Sequence, residues 1–161
     1  VEPEVRALID RFDLRPLPVE GTLFAETYRS GAASAIVAVY CDDPPSRSNF
    51  HVLTHDEVWH AYAGDPFRLI LLHPDGSSED VVMGRDVRAG QQVQWVIPAG
   101  TWQAGELLPG GRYALFGCTM APGFTPDCFL ASHAGELLAR WPAREADIRR
   151  LAVPDQADVR M

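Results

Sequence analysis

The chain contains no lysine: all 14 of its basic residues are arginine. Without a side-chain primary amine, Schiff-base chemistry is excluded, and so is the lysine of a phosphate-binding P-loop. The arginine-only usage points to the codon bias of a GC-rich bacterial genome rather than to function. Cysteine is scarce as well. Cys41, Cys118 and Cys128 are an odd number with no CxxC spacing, so neither a disulfide framework nor a zinc knuckle is expected. No apolar run approaches the roughly 20 residues that span a bilayer. Glu2, Glu4 and Arg6 stand where a signal peptide would carry its apolar stretch, and a soluble protein of a reducing cytoplasm is expected. Positive charge is also outweighed: 22 acidic residues leave a formal net charge of −8. Such a surface repels phosphate backbones and anionic lipid, so neither nucleic acid nor a membrane is an expected partner.

What is present is enough for one domain with a core of its own, since 47% of the 161 residues are apolar. Val5, Leu8, Ile9 and Phe12 recur at helical spacing behind Pro3, which predicts a short amphipathic helix over about 3–12, closed by Pro16 and Pro18. From about 20 to 131 the chain becomes a series of short Val-, Ile-, Thr- and aromatic-rich runs punctuated by Gly and Pro, the pattern of an all-β sandwich or barrel. Strands are expected at 22–29, 34–41, 50–53, 57–62, 67–72, 79–83, 92–97, 101–106, 112–120 and 127–131. Pro74-Asp75-Gly76 and Pro109-Gly110-Gly111 are read as hairpin turns that tolerate positive φ. Leu137, Leu138 and Trp141, then Ile148 and Leu151, predict two short helices within about 134–151, packed outside the barrel. Residues 144–150 are read as a solvated helix face and the last seven residues as frayed. No internal repeat is found.

The densest polar and aromatic stretch runs from Ser48 to Gly64 and holds three of the five histidines. Alternation along a strand puts His51 and Leu53 on one face; after a turn at Thr54–Asp56, Glu57, Trp59 and Ala61 share a face. His51 and Glu57 are therefore expected to meet inside the barrel, with His60 on the opposite face and His55 in the turn. Burying Glu57 among apolar neighbours is costly unless a partner such as His51 or Arg68 is near. Cys118 reads as a buried small hydrophobe, not a nucleophile.

These residues resemble the first cupin motif, with His51 and Glu57 in two of its ligand places and Gly64 closing it, and Pro98-Ala99-Gly100-Thr101-Trp102-Gln103 resembles the second. Four phrases strengthen the likeness: Phe24–Ser30, His51–His60, Val96–Trp102 and Gly117–Phe124 are similar, in this order, to the one-domain family catalogued as cupin superfamily 5. The resemblance covers about 5–151. It implies a single double-stranded β-helix, the cupin jelly-roll barrel, with short terminal helices. It also implies kinship in fold with the dTDP-sugar epimerases of the rhamnose pathway, and a homodimer.

A cupin metal centre usually draws on three His and one Glu. Here Leu53 stands in the second His place and Gln103 in the last, so no metal is expected. The resemblance implies instead metal-free acid–base chemistry on a small polar metabolite, a sugar or carbonyl-bearing acid, as isomerase, epimerase or lyase. His51 would be the base, Glu57 its orienting partner, and Tyr28 or Tyr113 the acid. Gln103 would bind substrate, while Trp59, Trp102 and Phe124 would shape the pocket, Phe124 from a lid loop after Gly123. Two alternatives use the same residues: a non-catalytic small-molecule binder, and a divalent-metal lyase or oxygenase with the metal on His51, Glu57 and Gln103.

Overall fold

In the computed structural model, which describes Val1–Met161, the N-terminal apolar spacing becomes helix α1 (Pro3–Phe12). Pro3 sits in the first turn, where its missing N–H leaves no bond unmade. The apolar face of α1 packs Val5, Leu8, Ile9 and Phe12 against Leu23, Val39 and Cys41, covering one end of a sheet.

Two antiparallel sheets follow. The larger has the order β1 (Arg15–Pro16), β2 (Leu23–Arg29), β3 (Ser34–Cys41), β10 (Tyr113–Met120), β5 (Glu57–Gly64), β8 (Gln94–Ile97). The smaller has the order β11 (Phe129–Ala131), β4 (Ser48–Leu53), β9 (Trp102–Leu107), β6 (Phe67–Leu72), β7 (Ser78–Met83). Every expected strand is present within two residues of its expected bounds, and the two-residue β1 is an addition. The sheets face each other as a jelly roll, and the period-2 alternation sends Ala38 and Tyr40, Trp59, Phe67, Leu69 and Leu71, and Ala114, Phe116 and Cys118 into the shared core. Tyr40, Trp59, Phe67 and Phe116 form one aromatic cluster, with Trp59 stacked on Phe116 at 4.9 Å. Full burial of each such phenyl ring contributes roughly 1.5–3 kcal/mol.

Helices α2 (Ala134–Arg140) and α3 (Glu145–Leu151) lie on the outer face of the smaller sheet, where Leu137, Trp141, Ile148 and Leu151 cover Phe50, Ile70 and Leu72. This outer layer corrects three expectations. Residues 144–150 are not simply solvated: Arg68 reaches Glu106 at 2.9 Å and Asp147 at 2.6 Å, and Arg144 and Arg150 join the same network. Arg68 therefore points outward, because its neighbours Phe67 and Leu69 take the inner face, and it does not pair with Glu57. The last residues are docked, with Val159 and Met161 packed on the Leu53–Phe129 cluster and the Val159 carbonyl accepting from the Ala131 amide at 2.8 Å.

A further correction concerns turns. Pro74-Asp75-Gly76 closes the β6–β7 hairpin, but Pro109-Gly110-Gly111 joins β9 to β10, which lie in different sheets. It is a corner between layers, with Gly110 at φ 84. No helix is long and apolar enough to cross a membrane.

Candidate functional site

His51 and Glu57 reach the same cavity from different sheets, because the Thr54–Asp56 turn carries the chain from β4 to β5. A bulge in β4 between Ser48 and His51 helps: it lets two residues three apart both point inward, which strict alternation forbids. The cavity holds about 40 Å³ and is lined at its inner end by Glu20, Thr22, His51, Glu57, Trp59 and Cys118. Leu17, Phe24, Ile36, Leu53, Phe116, Met120 and Phe124 supply apolar walls.

His51 is 2% exposed. Its Nδ1 lies 2.8 Å from the Asn49 carbonyl oxygen, which can only accept, so Nδ1 carries a proton and Nε2, a lone pair whenever the ring is neutral, is left to the cavity. The ring is fixed further by stacking on Phe129 at 5.1 Å. Oε2 of Glu20 lies 3.8 Å from Nε2, too far for a hydrogen bond.

Glu57 is held by the Trp59 indole, which donates to its Oε1 at 3.1 Å and also to Gln103 Oε1 at 3.2 Å. Burial pushes the Glu57 carboxyl from its ordinary 4.5 up to about 7; nearby His51 pulls it back, Glu20 pushes it further up, and the Trp59 and Gln103 hydrogen bonds pull it down. Burial also raises the Cys118 thiol well above its ordinary range, and Glu57 and Glu20 add to that, so Cys118 stays protonated.

Glu20 is a polar cavity residue that sequence reading missed. Its Oε1 accepts from Thr22 Oγ1 at 2.6 Å and Ser48 Oγ at 2.7 Å. Ser48 has one proton, already given to Glu20, so the fully buried Tyr40 hydroxyl 2.6 Å away donates to Ser48. Glu20 lies in the turn before β2, outside any periodic run, and no alternation could mark it. The turn is strained: Val19, β-branched, has φ 68, and Gly21 follows at φ 96. Asn49 ties it down, its Nδ2 donating to the Val19 carbonyl at 3.2 Å and its amide to the Glu20 carbonyl at 3.0 Å.

The other expected site residues divide. Trp59 lines the cavity, and so does Phe124, which lies in the loop after Gly123; the Phe124 amide donates to Ser34 Oγ at 2.9 Å and its carbonyl accepts from Arg29 at 2.5 Å. Gln103 is 1% exposed and supports Glu57 rather than facing the cavity. Trp102, one residue before it, takes the outer face and packs beneath α2 and α3. Neither tyrosine expected as proton donor lines the cavity. Tyr28 is 56% exposed, because the end of β2 is open on both faces. Tyr113 alternates with inward Ala114 and so packs outward with the α1 cluster. His60 is on the outer face, bonded to Thr119 and stacked on Tyr62.

A transition metal fits this donor set poorly. Leu53 contributes no donor, the Gln103 carbonyl oxygen is taken by Trp59, and no group of three His, Cys, Asp or Glu side chains converges on a point.

Comparison with known proteins places this geometry. The family described as Cupin superfamily (DUF985) matches residues 6–131. A hypothetical protein from Leishmania major superposes with TM-score 0.84 at 26% identity, over 92% of this chain and 98% of that one. Protein SO0799 of Shewanella oneidensis gives TM-score 0.84 at 29% identity, over 92% and 97% of the two chains. The uncharacterized protein YML079W of Saccharomyces cerevisiae is 34% identical over 58 residues, a match that spans 34% of this chain and only 29% of the yeast protein.

Proposed function

The chain belongs to the DUF985 family of the cupin superfamily, and on that footing we propose that it is an enzyme acting on a small carbonyl-bearing metabolite by metal-free general acid–base chemistry. One observation carries the reading: a histidine Nε2 with no protein hydrogen bond and a carboxyl that keeps its proton to about pH 7 face the same buried cavity. Burial that keeps a carboxyl protonated near neutral pH suits it to the part of an acid, beside a histidine that can take the part of the base.

His51 Nε2 takes a proton from the carbon beside the substrate carbonyl, and the electron pair moves into the forming enol. Glu57 supplies the proton that the carbonyl oxygen takes up. Glu20 Oε2, 3.8 Å from Nε2, stabilises the imidazolium formed in that step. Return of the His51 proton to carbon, as the enol O–H hands its proton back to Glu57, gives epimerisation once the enol has turned its other face to His51, or isomerisation when the adjacent carbon takes it. In elimination the β-substituent leaves with the His51 proton while the enol O–H returns its own to Glu57. Glu57 thus takes the proton-donor role expected of a tyrosine, and Gln103 positions it.

The test is hydrogen exchange. A panel of aldehydes, ketones and hydroxy-carbonyl compounds is incubated with the protein in D2O, and solvent deuterium is sought by NMR at the carbon next to the carbonyl. Enzyme-dependent incorporation that His51→Gln abolishes is the expected result. Incorporation that survives His51→Gln, or none from any compound, overturns it. Non-catalytic binding is the second reading, favoured by a cavity of about 40 Å³, roughly the room of one water molecule, which admits little until the Phe124 loop moves.

A further inference from the structure

Two polar atoms face each other across the cavity: Glu20 Oε2 is an acceptor, and His51 Nε2 is one whenever the ring is neutral, since Nδ1 holds a proton. Glu20 spends Oε1 on Thr22 and Ser48, while its Oε2 makes no hydrogen bond to the protein. His51 spends Nδ1 on Asn49, while Nε2 makes none. They stand 3.8 Å apart with no protein donor between them. Neither is sealed away from solvent, since no fully buried side-chain polar atom in the chain lacks a partner. An O–H or N–H from outside is what this gap lacks.

The surrounding charge points the same way. Two carboxyl groups, Glu20 and Glu57, line the cavity, and not one of the 14 arginines does. Arg29, bonded to the Phe124 carbonyl, is already held by both oxygens of Glu26 at 2.8 and 2.7 Å. An anion entering would meet Glu20 in a largely apolar pocket with no arginine to receive it.

We propose that the cavity selects an uncharged or cationic ligand that presents an O–H or N–H donor to Glu20 and His51, and that it rejects anions. This rests on the acid–base reading above and narrows its substrates to uncharged hydroxy- or amino-carbonyl compounds. Carbonyl-bearing acids fall outside the class. Glu20 is then the specificity-determining residue, and the hydroxyl chain Tyr40–Ser48–Glu20 holds its Oε1 so that Oε2 stays turned to the ligand.

Acetamide, acetamidinium and acetate share one skeleton and differ in charge and donors, which makes them the probes. Each is titrated into the protein at pH 7.5, with binding read from the His51 ring signals by NMR so that contact elsewhere does not count. Acetamide and acetamidinium are expected to bind at least about tenfold more tightly than acetate, the order that one uncompensated like charge at a few ångströms imposes. Glu20→Gln keeps an acceptor for Thr22 and Ser48 while removing one of the two carboxyl groups, and should narrow the gap between acetate and acetamide at least about threefold, Glu57, above its value of about 7 at this pH, accounting for the rest. Acetate binding as well as acetamide to the wild-type protein overturns the proposal, and so does a Glu20→Gln ranking unchanged from wild type. If none of the three perturbs His51, the cavity is not a ligand site and the proposal falls. The wild-type ranking stands as a test even if the variant fails to fold. Loss of deuterium incorporation with the charge ranking intact would instead remove the catalytic reading and leave the selectivity.

Discussion

Glu57 makes the protein less stable as pH rises, and Glu57→Gln should remove that dependence. An unfolded glutamate titrates near its ordinary 4.5, whereas the folded one keeps its proton to about 7. Below 4.5 both states are protonated and the group contributes no difference. Between 4.5 and about 7 the unfolded chain has released its proton and the folded chain has not, so the folded state binds more protons and unfolding becomes easier as pH rises. Above 7 the penalty is complete. At about 1.4 kcal/mol for each pH unit between the two values, it amounts to roughly 3 kcal/mol. Glutamine preserves the shape and the acceptor for the Trp59 indole, and carries no charge at any pH. Urea unfolding of both proteins from pH 4.5 to 8.5 should show near-equal stability at the acid end. Glu57→Gln should then gain on the wild type through the 4.5–7 window and lead by roughly 3 kcal/mol at pH 8. The other titrating groups are common to both proteins and cancel to first order. A difference constant across the range, or a lead that grows toward acid, would refute the burial argument.

Replacing His51 by Gln removes the neighbour that pulls the Glu57 carboxyl down, so the midpoint of the pH-dependent stability loss should move above its wild-type position in the same urea series. An unmoved midpoint would show that the two groups do not sense each other. Gly105→Ala should cost about 1–3 kcal/mol, because its Cβ would run into the Tyr40 hydroxyl and push it off Ser48, and the ring has no free space among Phe67 and Phe116 to retreat into. Arg68→Met should cost about 1–3 kcal/mol near pH 7, less than a fully buried pair because the Arg68 side chain is 22% exposed. Burial pushes the Glu106 and Asp147 carboxyls up, but Arg150 and Arg68 hold Glu106, and Arg68, Arg150 and Arg144 hold Asp147, below the ordinary range. The stabilisation they supply is therefore present above the ordinary carboxylate values and lost as pH falls through the lowered ones. The Arg68→Met deficit, followed by urea unfolding, should shrink in strong acid.

Strands and inward faces were legible because alternation is a local property: Ala114, Phe116 and Cys118 turn inward in β10 as their spacing requires, and the same rule places Tyr113 outside. What alternation cannot say is which sheet a strand joins. Pro109-Gly110-Gly111 carries good hairpin chemistry yet joins strands of different layers, a decision made by long-range pairing of β9 with β6 and of β10 with β3. Within the site, His51, Glu57, Trp59 and Phe124 were legible from spacing and family resemblance together. Tyr28 was misjudged because the end of β2, though still paired with β3, is exposed on both faces and so has no inside. Glu20 was invisible because a turn has no period, and its direction is set by Asn49, 29 positions away in the chain, which binds the backbone on both sides of it.

The departures from the cupin ligand pattern and the behaviour of Glu57 have one physical cause. Where the pattern has histidines, Leu53 offers only hydrocarbon and Gln103 a neutral amide, and the pull of His51 offsets only part of the cost of burying the Glu57 charge. A carboxyl in that position has two ways to lose its charge penalty, a metal or a proton, and these surroundings favour the proton. The same exchange turns a ligand position into an acid. It follows that restoring histidine at both places should reverse the balance. In Leu53→His with Gln103→His, Zn2+ or Ni2+ should raise the unfolding midpoint well beyond any shift in the parent, and the stability loss between pH 4.5 and 7 should flatten in the presence of the ion as Glu57 gives up its proton to it. Equal metal-induced shifts in variant and parent would mean that the two departures do not determine what Glu57 holds.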